Sequence, residues 1–258
     1  MKKLIINADD FGLSRNTFDW TVKGFERGVL TSATIMAGMP MTAAAVAYAK
    51  AHPEFSFGVH LTLVDEKPLS PAGKIPSMVD PSTGMLWPTR QFIIRNFLGL
   101  VKVEDLVREM SAQVGALRDL GLSISHFDGH GHNHRLPRSI KALKIVAGKF
   151  GVRKTRRTQD LACGKLGFLS RVVNGPMQHR LERAGFETVD HFLMNAGHTA
   201  DPDWFGAALR VLPEGVTEIG VHPGDDEPWR RIEIGELYSF ERGAFQNAGI
   251  TLASYLSY

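Results

Sequence analysis

Short apolar runs that stop at an aspartate or a histidine recur along this chain, and they constrain its architecture more than any other feature. Lys3-Leu4-Ile5-Ile6 gives way to Asn7-Ala8-Asp9-Asp10-Phe11-Gly12. Phe57-Gly58-Val59 gives way to His60-Leu61-Thr62-Leu63, and Glu218-Ile219-Gly220-Val221 to His222-Pro223-Gly224. Between such runs lie stretches of helical period. The clearest carries Leu106, Val107, Met110, Val114 and Leu117 and stops at Gly121, a natural helix end. The spacing predicts strands over 4–7, 32–36, 57–63, 124–128, 152–155, 188–190, 218–222 and 250–255. It predicts helices over 17–27, 42–51, 104–120, 138–150, 203–212 and 238–248. Alternation of this kind builds parallel strands joined by right-handed crossovers. Eight strands in 258 residues predict an α/β fold: a distorted (β/α) barrel with mainly parallel strands, in a single domain over 1–258.

The chemistry is concentrated at the ends of the apolar runs. Ser125-His126-Phe127-Asp128-Gly129-His130-Gly131-His132-Asn133-His134 holds four of the chain's ten histidines. Alternate residues of a strand share a face, so His126, Asp128, His130, His132 and His134 could point one way until the strand ends. Imidazole and carboxylate are the common ligands of borderline divalent metals. Asp9 and Asp10 are expensive at the end of a buried strand unless paired or bound to metal. Helix capping would account for one of them, not both. Taken singly, His60 and His222 read as core histidines. Their common position at a strand's carboxyl end raises both, because α/β folds build their sites there.

Composition bounds the rest. With 43% hydrophobic and 22% charged residues the chain can bury a sizeable core. One cysteine, Cys163, excludes an internal disulfide framework and fits a reducing compartment. The net charge of +3 owes much to Arg153-Lys154-Thr155-Arg156-Arg157. No aromatic interleaving accompanies that cluster, so it reads as a solvated face, or as an arginine serving the site, rather than a nucleic-acid patch. No signal peptide and no membrane-length apolar run is evident, which makes the expected location cytoplasmic and the protein not integral to a membrane. The stretch 64–89, with Pro68, Pro71, Pro76, Pro81 and Pro88, reads as a long irregular loop, a lid or substrate wall after His60. Trp87, Trp204 and Trp229 are either core or sugar-stacking residues.

The four blocks around Asp9-Asp10, His60, His126 to His134 and His222, in this order and across nearly the whole chain, resemble the signature blocks of the YdjC-like (ChbG-type) carbohydrate deacetylases. The terminal Gly249-Ile250-Thr251-Leu252 resembles that family's last strand. The resemblance implies a distorted (β/α) barrel with a mononuclear divalent metal site. It implies Asp10, His60 and His130 as metal ligands, Asp9 as general base and His222 as acid or transition-state partner. Arg156 would orient Asp9 or bind substrate. His126, Asp128, His132 and His134 would stand behind the ligands or in the pocket wall, since the strand must end near Asp128. Gly131, Asn133 and Arg135 depart from the bulkier or more apolar residues of relatives. Val64-Asp65-Glu66-Lys67-Pro68 and Ile75-Pro76-Ser77-Met78-Val79-Asp80 are similar to a hopanoid-associated branch, which implies a lipid-linked acetylated amino sugar.

Amide hydrolysis needs a polarised carbonyl, an activated water and a proton for the leaving amine. The expected reaction is therefore metal-dependent removal of an N-acetyl group from an amino sugar, with magnesium or zinc as the ion. Two alternatives remain: another metal-dependent sugar or phosphate hydrolase or isomerase on a barrel, and a non-catalytic, metal-stabilised carbohydrate-binding protein. A homodimer is the default assembly.

Overall fold

The computed structural model describes residues 1–161, 167–195 and 203–258; Cys163 lies outside them. Among the described residues seven strands form one parallel sheet: β1 (Lys2–Phe11), β2 (Ser32–Ile35), β3 (Ser56–Leu61), β4 (Phe127–Gly129), β5 (His191–Met194), β6 (Gly215–Val221) and β7 (Ile250–Leu252). Their order is β4-β3-β2-β1-β6-β5, with β7 beside the first residues of β1. Single-residue parallel bridges, Phe127 to Thr155 and Lys154 to Glu187, link β4 round toward β5. The result is the expected distorted barrel, irregular on that side. The strand expected over 152–155 is reduced to these two bridges. The one expected over 188–190 lies at β5 instead.

The period-two pattern of β1 explains what the sheet encloses. Leu4, Ile6 and Ala8 face the main apolar core under the helices, whereas Ile5 joins Val189, Ala253 and Tyr255 in a small cluster. Asn7 and Asp9 continue the Ile5 side. The barrel lumen is thus apolar at the start of β1 and polar at its end. After β7 the chain turns inward instead of continuing the strand expected to 255. Tyr255 is buried, its ring stacked 3.5 Å from His126 and its backbone N–H bonded to Ser56 Oγ. Gly58 makes room for this stack: a Cβ there would lie 2.7 Å from the His126 ring.

Nine helices surround the described sheet: α1 (Arg15–Glu26), α2 (Thr42–Ala51), α3 (Thr89–Phe97), α4 (Val103–Asp119), α5 (Pro137–Phe150), α6 (Gly167–Arg183), α7 (Trp204–Arg210), α8 (Pro228–Leu237) and α9 (Arg242–Asn247). Ser14 caps α1 in a reciprocal bond with Thr17. Three helices lie outside the expected set. α3 and α8 begin directly after Pro88 and at Pro228, where proline reads as a loop signal but suits a helix start. α6 carries Pro176 inside it, which hides a helix from pattern reading. The segment expected as one helix over 238–248 is the short α9 alone.

The excursion over 64–89 is irregular as expected, with one 3-10 turn (Ala72–Lys74) and a single bridge between Val79 and Leu86, but it is anchored along its length. Two buried acids of α4 hold its backbone: Glu109 accepts from the N–H groups of Leu69 and Ser70, and Asp105 from Ser77. Ile75, Met78, Val79 and Leu86 sink into the core. No described helix is long and apolar enough to cross a membrane.

Candidate active site

A β-bulge at the end of β1 creates the site. Ala8 pairs with Ala33 and Phe11 with Ile35, so three steps on β1 face two on β2. The extra residue falls at Asp9-Asp10, and Asp10 takes a left-handed φ of 59°. A bulge re-aims side chains, and aspartate tolerates this conformation better than most residues. The consequence is that both adjacent carboxylates point into one cleft. A regular strand would have sent them to opposite faces.

Asp10 is at the centre. Its Oδ1 lies 3.3 Å from His60 Nε2 and 3.0 Å from His130 Nδ1, and its Oδ2 accepts a 2.7 Å bond from Arg230. Burial alone would raise its pKa, but the bonds to His130 and His60 hold it well below the usual carboxylate range. His60 comes from β3 and His130 from the 3-10 turn His130–Arg135 that follows β4. On its far side, His60 Nδ1 meets Asp128 Oδ1 at 2.8 Å, and Thr34 donates to Asp128 Oδ2 at 2.9 Å. That contact fixes the ring so that Nε2 faces Asp10. Burial disfavours charge on His60, yet Asp128, Asp10 and Asp9 together push its pKa up to about 10.

Asp9 is gripped differently. Both terminal nitrogens of Arg156 donate to it at 2.6 Å. The same guanidinium reaches Asp128 at 3.0 Å and Glu218 at 2.8 Å, with Phe192 4.9 Å beneath it. Arg156 is fully buried, and three carboxylates share it. Burial raises the Asp9 pKa, but the Arg156 charge and hydrogen bonds outweigh burial and hold the carboxyl low. Glu218 goes the other way, pushed up to about 7 by burial against the pull of Arg156; Tyr255 donates to its second oxygen. Of the rest of the basic cluster, Arg153 is exposed and the other two are engaged. Lys154 donates to the carbonyls of Tyr255 and Tyr258, and Arg157 lies 3.6 Å from Asp160.

His222 follows the last residue of β6. Its Nε2 is 3.9 Å from Asp9 Oδ2, and Glu233 Oε2 receives both its backbone N–H, at 2.6 Å, and its Nδ1, at 3.1 Å. Burial lowers the His222 pKa; the Glu233, Asp9 and Asp10 charges more than reverse that, so it is raised. Trp229 stands edge-on to His222 at 5.2 Å. The cleft has a volume of about 280 Å³ and is lined by Asp9, Asp10, His60, His130, His222 and Trp229, among others.

The structure divides the histidine run. His130 and His132 line the cleft. His126 does not, because it lies under Tyr255 in the lumen, where burial and the Arg156 charge hold it neutral. His134 is buried behind Gly129, its pKa pushed down to about 3 by burial and Arg156. Gly131 and His132 both take left-handed φ values, 57° and 56°, so the alternation stops after Gly129. Trp204 is a core residue bonded to the Glu233 carbonyl, and Trp87 is packed under Arg95.

Among the described residues two triads each bring their donor atoms within 4.8 Å of one another: Asp10, His60 and His130, and Asp9, His60 and Asp128. The second has the Arg156 guanidinium on both its carboxylates, which disfavours another cation. The first has a matched donor set, one oxygen and two ring nitrogens, and fits a divalent metal. Arg230, Glu233, Glu218 and Thr34 were not singled out in the sequence. Arg230 and Glu233 are one helical turn apart at the start of α8, and that spacing was the available signal. Glu218 is an acid inside an apolar run, a signal of the same kind as Asp9.

The sequence profile of the YdjC-like protein family matches residues 3–246. A carbohydrate deacetylase of Thermoanaerobacter pseudethanolicus is 30% identical over 88% of this chain and 84% of its own length. One of Halalkalibacterium halodurans is 35% identical over 57% of this chain and 61% of its own length. A crystal structure from Enterococcus faecalis V583, provisionally assigned to cellobiose-phosphate cleavage, superposes with a TM-score of 0.79 at 27% identity, covering 99% of this chain and 98% of that one. A CE4 esterase of Streptococcus mutans shares the fold, with a TM-score of 0.52 at 12% identity over 98% of this chain and 85% of that one. Profile, relatives and fold agree: this chain belongs to the YdjC-like family.

Proposed function

We propose that the protein is a metal-dependent carbohydrate N-deacetylase that hydrolyses the acetamide of an amino sugar. The observation that carries this reading is the convergence of Asp10, His60 and His130 beside a separately held Asp9, with His222 across the cleft. The name carbohydrate deacetylase, borne by the relatives, supports the substrate class. Asp10, His60 and His130 would hold a divalent ion, magnesium or zinc. Such an ion, when bound, supplies Lewis-acid polarisation of the acetyl carbonyl and acidifies water.

The protein's own groups divide the proton work. Asp9 is the base. Arg156 keeps it ionised and aims it, at the expense of its basicity. A carboxylate held so low accepts a proton only from a water that has itself been made acidic, which supports metal dependence. His222, whose pKa the Glu233 charge raises, is the acid that protonates the leaving sugar nitrogen. Asp128 sets the His60 tautomer, and Arg230 neutralises the Asp10 oxygen that faces away from the histidines. Trp229 offers a sugar ring an apolar face beside His222.

Acetate release from N-acetylglucosamine oligosaccharides, measured after chelation and after return of single divalent ions, tests the reading. Release should vanish on chelation and return with one ion. Asp10→Ala, His60→Ala and His130→Ala should each lose the bound ion. A protein that binds no metal, or releases acetate equally well without it, would sink the proposal. Metal binding without release from free sugars would shift the substrate to a lipid-linked acetyl sugar.

Glu233→Gln gives a second test through pH. The His222 pKa is raised in the fold, so the protonated acid persists above the ordinary histidine value and is lost as pH rises through the folded value. Removing the Glu233 charge lowers that value. The alkaline limb of the kcat profile should therefore move to lower pH, while the acid limb stays. An unmoved alkaline limb would remove His222 from the acid role.

A further inference from the structure

We propose that the face made by α3, the turn after it and the outer side of α5 docks onto the surface of an anionic phospholipid bilayer. Ile94, Phe97, Leu98 and Leu100 are 50%, 56%, 68% and 51% exposed within seven residues, and Ile145 of α5 is 54% exposed. Single exposed apolar residues are ordinary; a cluster of this kind marks a contact surface. The turn is held rather than loose. Leu100 N–H bonds to the Arg95 carbonyl, and Gly99, at φ 78°, lies against the Arg138 guanidinium. Asn96 staples α3 to α5, donating to Ser139 Oγ and accepting from Arg138 N–H, each at 3.1 Å.

The two segments that build this face carry charge of one sign, with Asp65, bonded to Thr89, and Glu104 at its edges. No aspartate or glutamate occurs from 81 to 103 or from 129 to 159. Arg90 and Lys102 are exposed on the first segment, and Lys141, Lys144 and Lys149 on the second. That distribution selects the occupant. A two-fold dimer sets a patch against its own copy, which here would oppose five exposed basic side chains with only the bordering Asp65 and Glu104 to pair them. Anionic headgroups pair them all, while the apolar tips enter the acyl boundary. The face adjoins the cleft: α5 follows directly on the turn that carries His130, and Gly131 of that turn neighbours Thr89 of α3. Docking would therefore bring the cleft rim toward the bilayer. The inference does not depend on the deacetylase reading, because binding is measured without turnover.

Cosedimentation of the full chain with vesicles of equal parts phosphatidylglycerol and phosphatidylcholine tests it, against vesicles of phosphatidylcholine alone. Binding is expected on the anionic vesicles, weaker by about tenfold or more on the neutral ones, and falling with added salt. The double substitution Phe97→Glu and Leu98→Glu should weaken it at least about tenfold. Lys141→Gln and Lys144→Gln should each weaken it about fivefold. Circular dichroism should remain that of the parent, since every site is exposed. Absence of binding, or binding indifferent to the Phe97 and Leu98 change, overturns the proposal. A dimer in sedimentation velocity that the same change dissociates, without vesicle binding, assigns the face to a second copy instead.

Discussion

Arg156→Met is expected to destabilise the fold by about 3–5 kcal/mol at neutral pH, the range for removing one partner of a buried ion pair, and to abolish turnover. The guanidinium is fully buried and is hydrogen-bonded to Asp9 and Glu218, with Asp128 at 3.0 Å. Methionine fills much of the same volume but leaves these carboxylates facing one another without the guanidinium between them. The pH dependence distinguishes this cause from a simple packing defect. In the parent, the Asp9 pKa lies below its unfolded value, so its pairing stabilises the fold above that unfolded value and the gain is lost as pH falls through the folded one. Glu218, with a folded pKa of about 7, behaves oppositely and costs stability as pH rises toward 7. In the variant burial acts on both carboxyls unopposed by Arg156, and both take up protons more readily. The stability difference between parent and variant should therefore shrink as pH falls from neutral toward 4. Urea unfolding across that range measures it. A difference constant with pH would mean that lost packing, not uncompensated charge, is the cause.

This network also shows why part of the site was legible in the sequence and part was not. Asp9, Asp10, His60 and His222 stand at the ends of apolar runs, where a polar residue is conspicuous because its neighbours are not, and His130 stands in the dense histidine run. Parallel strands put all such ends on one rim, so the cluster could be read before any distance was known. The bulge could not be read. It depends on the register between β1 and β2, and Asp10 carries no glycine to signal a left-handed residue. The lumen was invisible for a related reason. His126 belongs to the same alternation as Asp128, yet sits one layer lower, where Gly58 and the C-terminal Tyr255 admit its ring. Nothing local to 124–134 announces a tyrosine more than a hundred residues later. Arg230 and Glu233 were missed because prolines at 223 and 228 read as loop punctuation, while Pro228 in fact starts the helix that carries both.

Asp9→Asn should keep the bound metal and lose about 10²–10⁴-fold in kcat, the range associated with a general base. The substitution preserves size, and its carbonyl oxygen can still accept one of the two Arg156 hydrogen bonds, so Asp10, His60 and His130 keep their places. The amide nitrogen, by contrast, faces a guanidinium donor and cannot take a proton from water. Metal content by mass spectrometry and acetate release, measured on one preparation, separate the outcomes. Metal retained with activity lost fits Asp9 as base. Activity near that of the parent would remove it from that role. Loss of metal together with activity would instead make Asp9 a ligand, as the second donor triad of Asp9, His60 and Asp128 allows. Arg156 argues against that last outcome. It already supplies a full positive charge 2.6 Å from each Asp9 oxygen, and a divalent ion in the same place would have to displace the group on which three buried carboxylates depend.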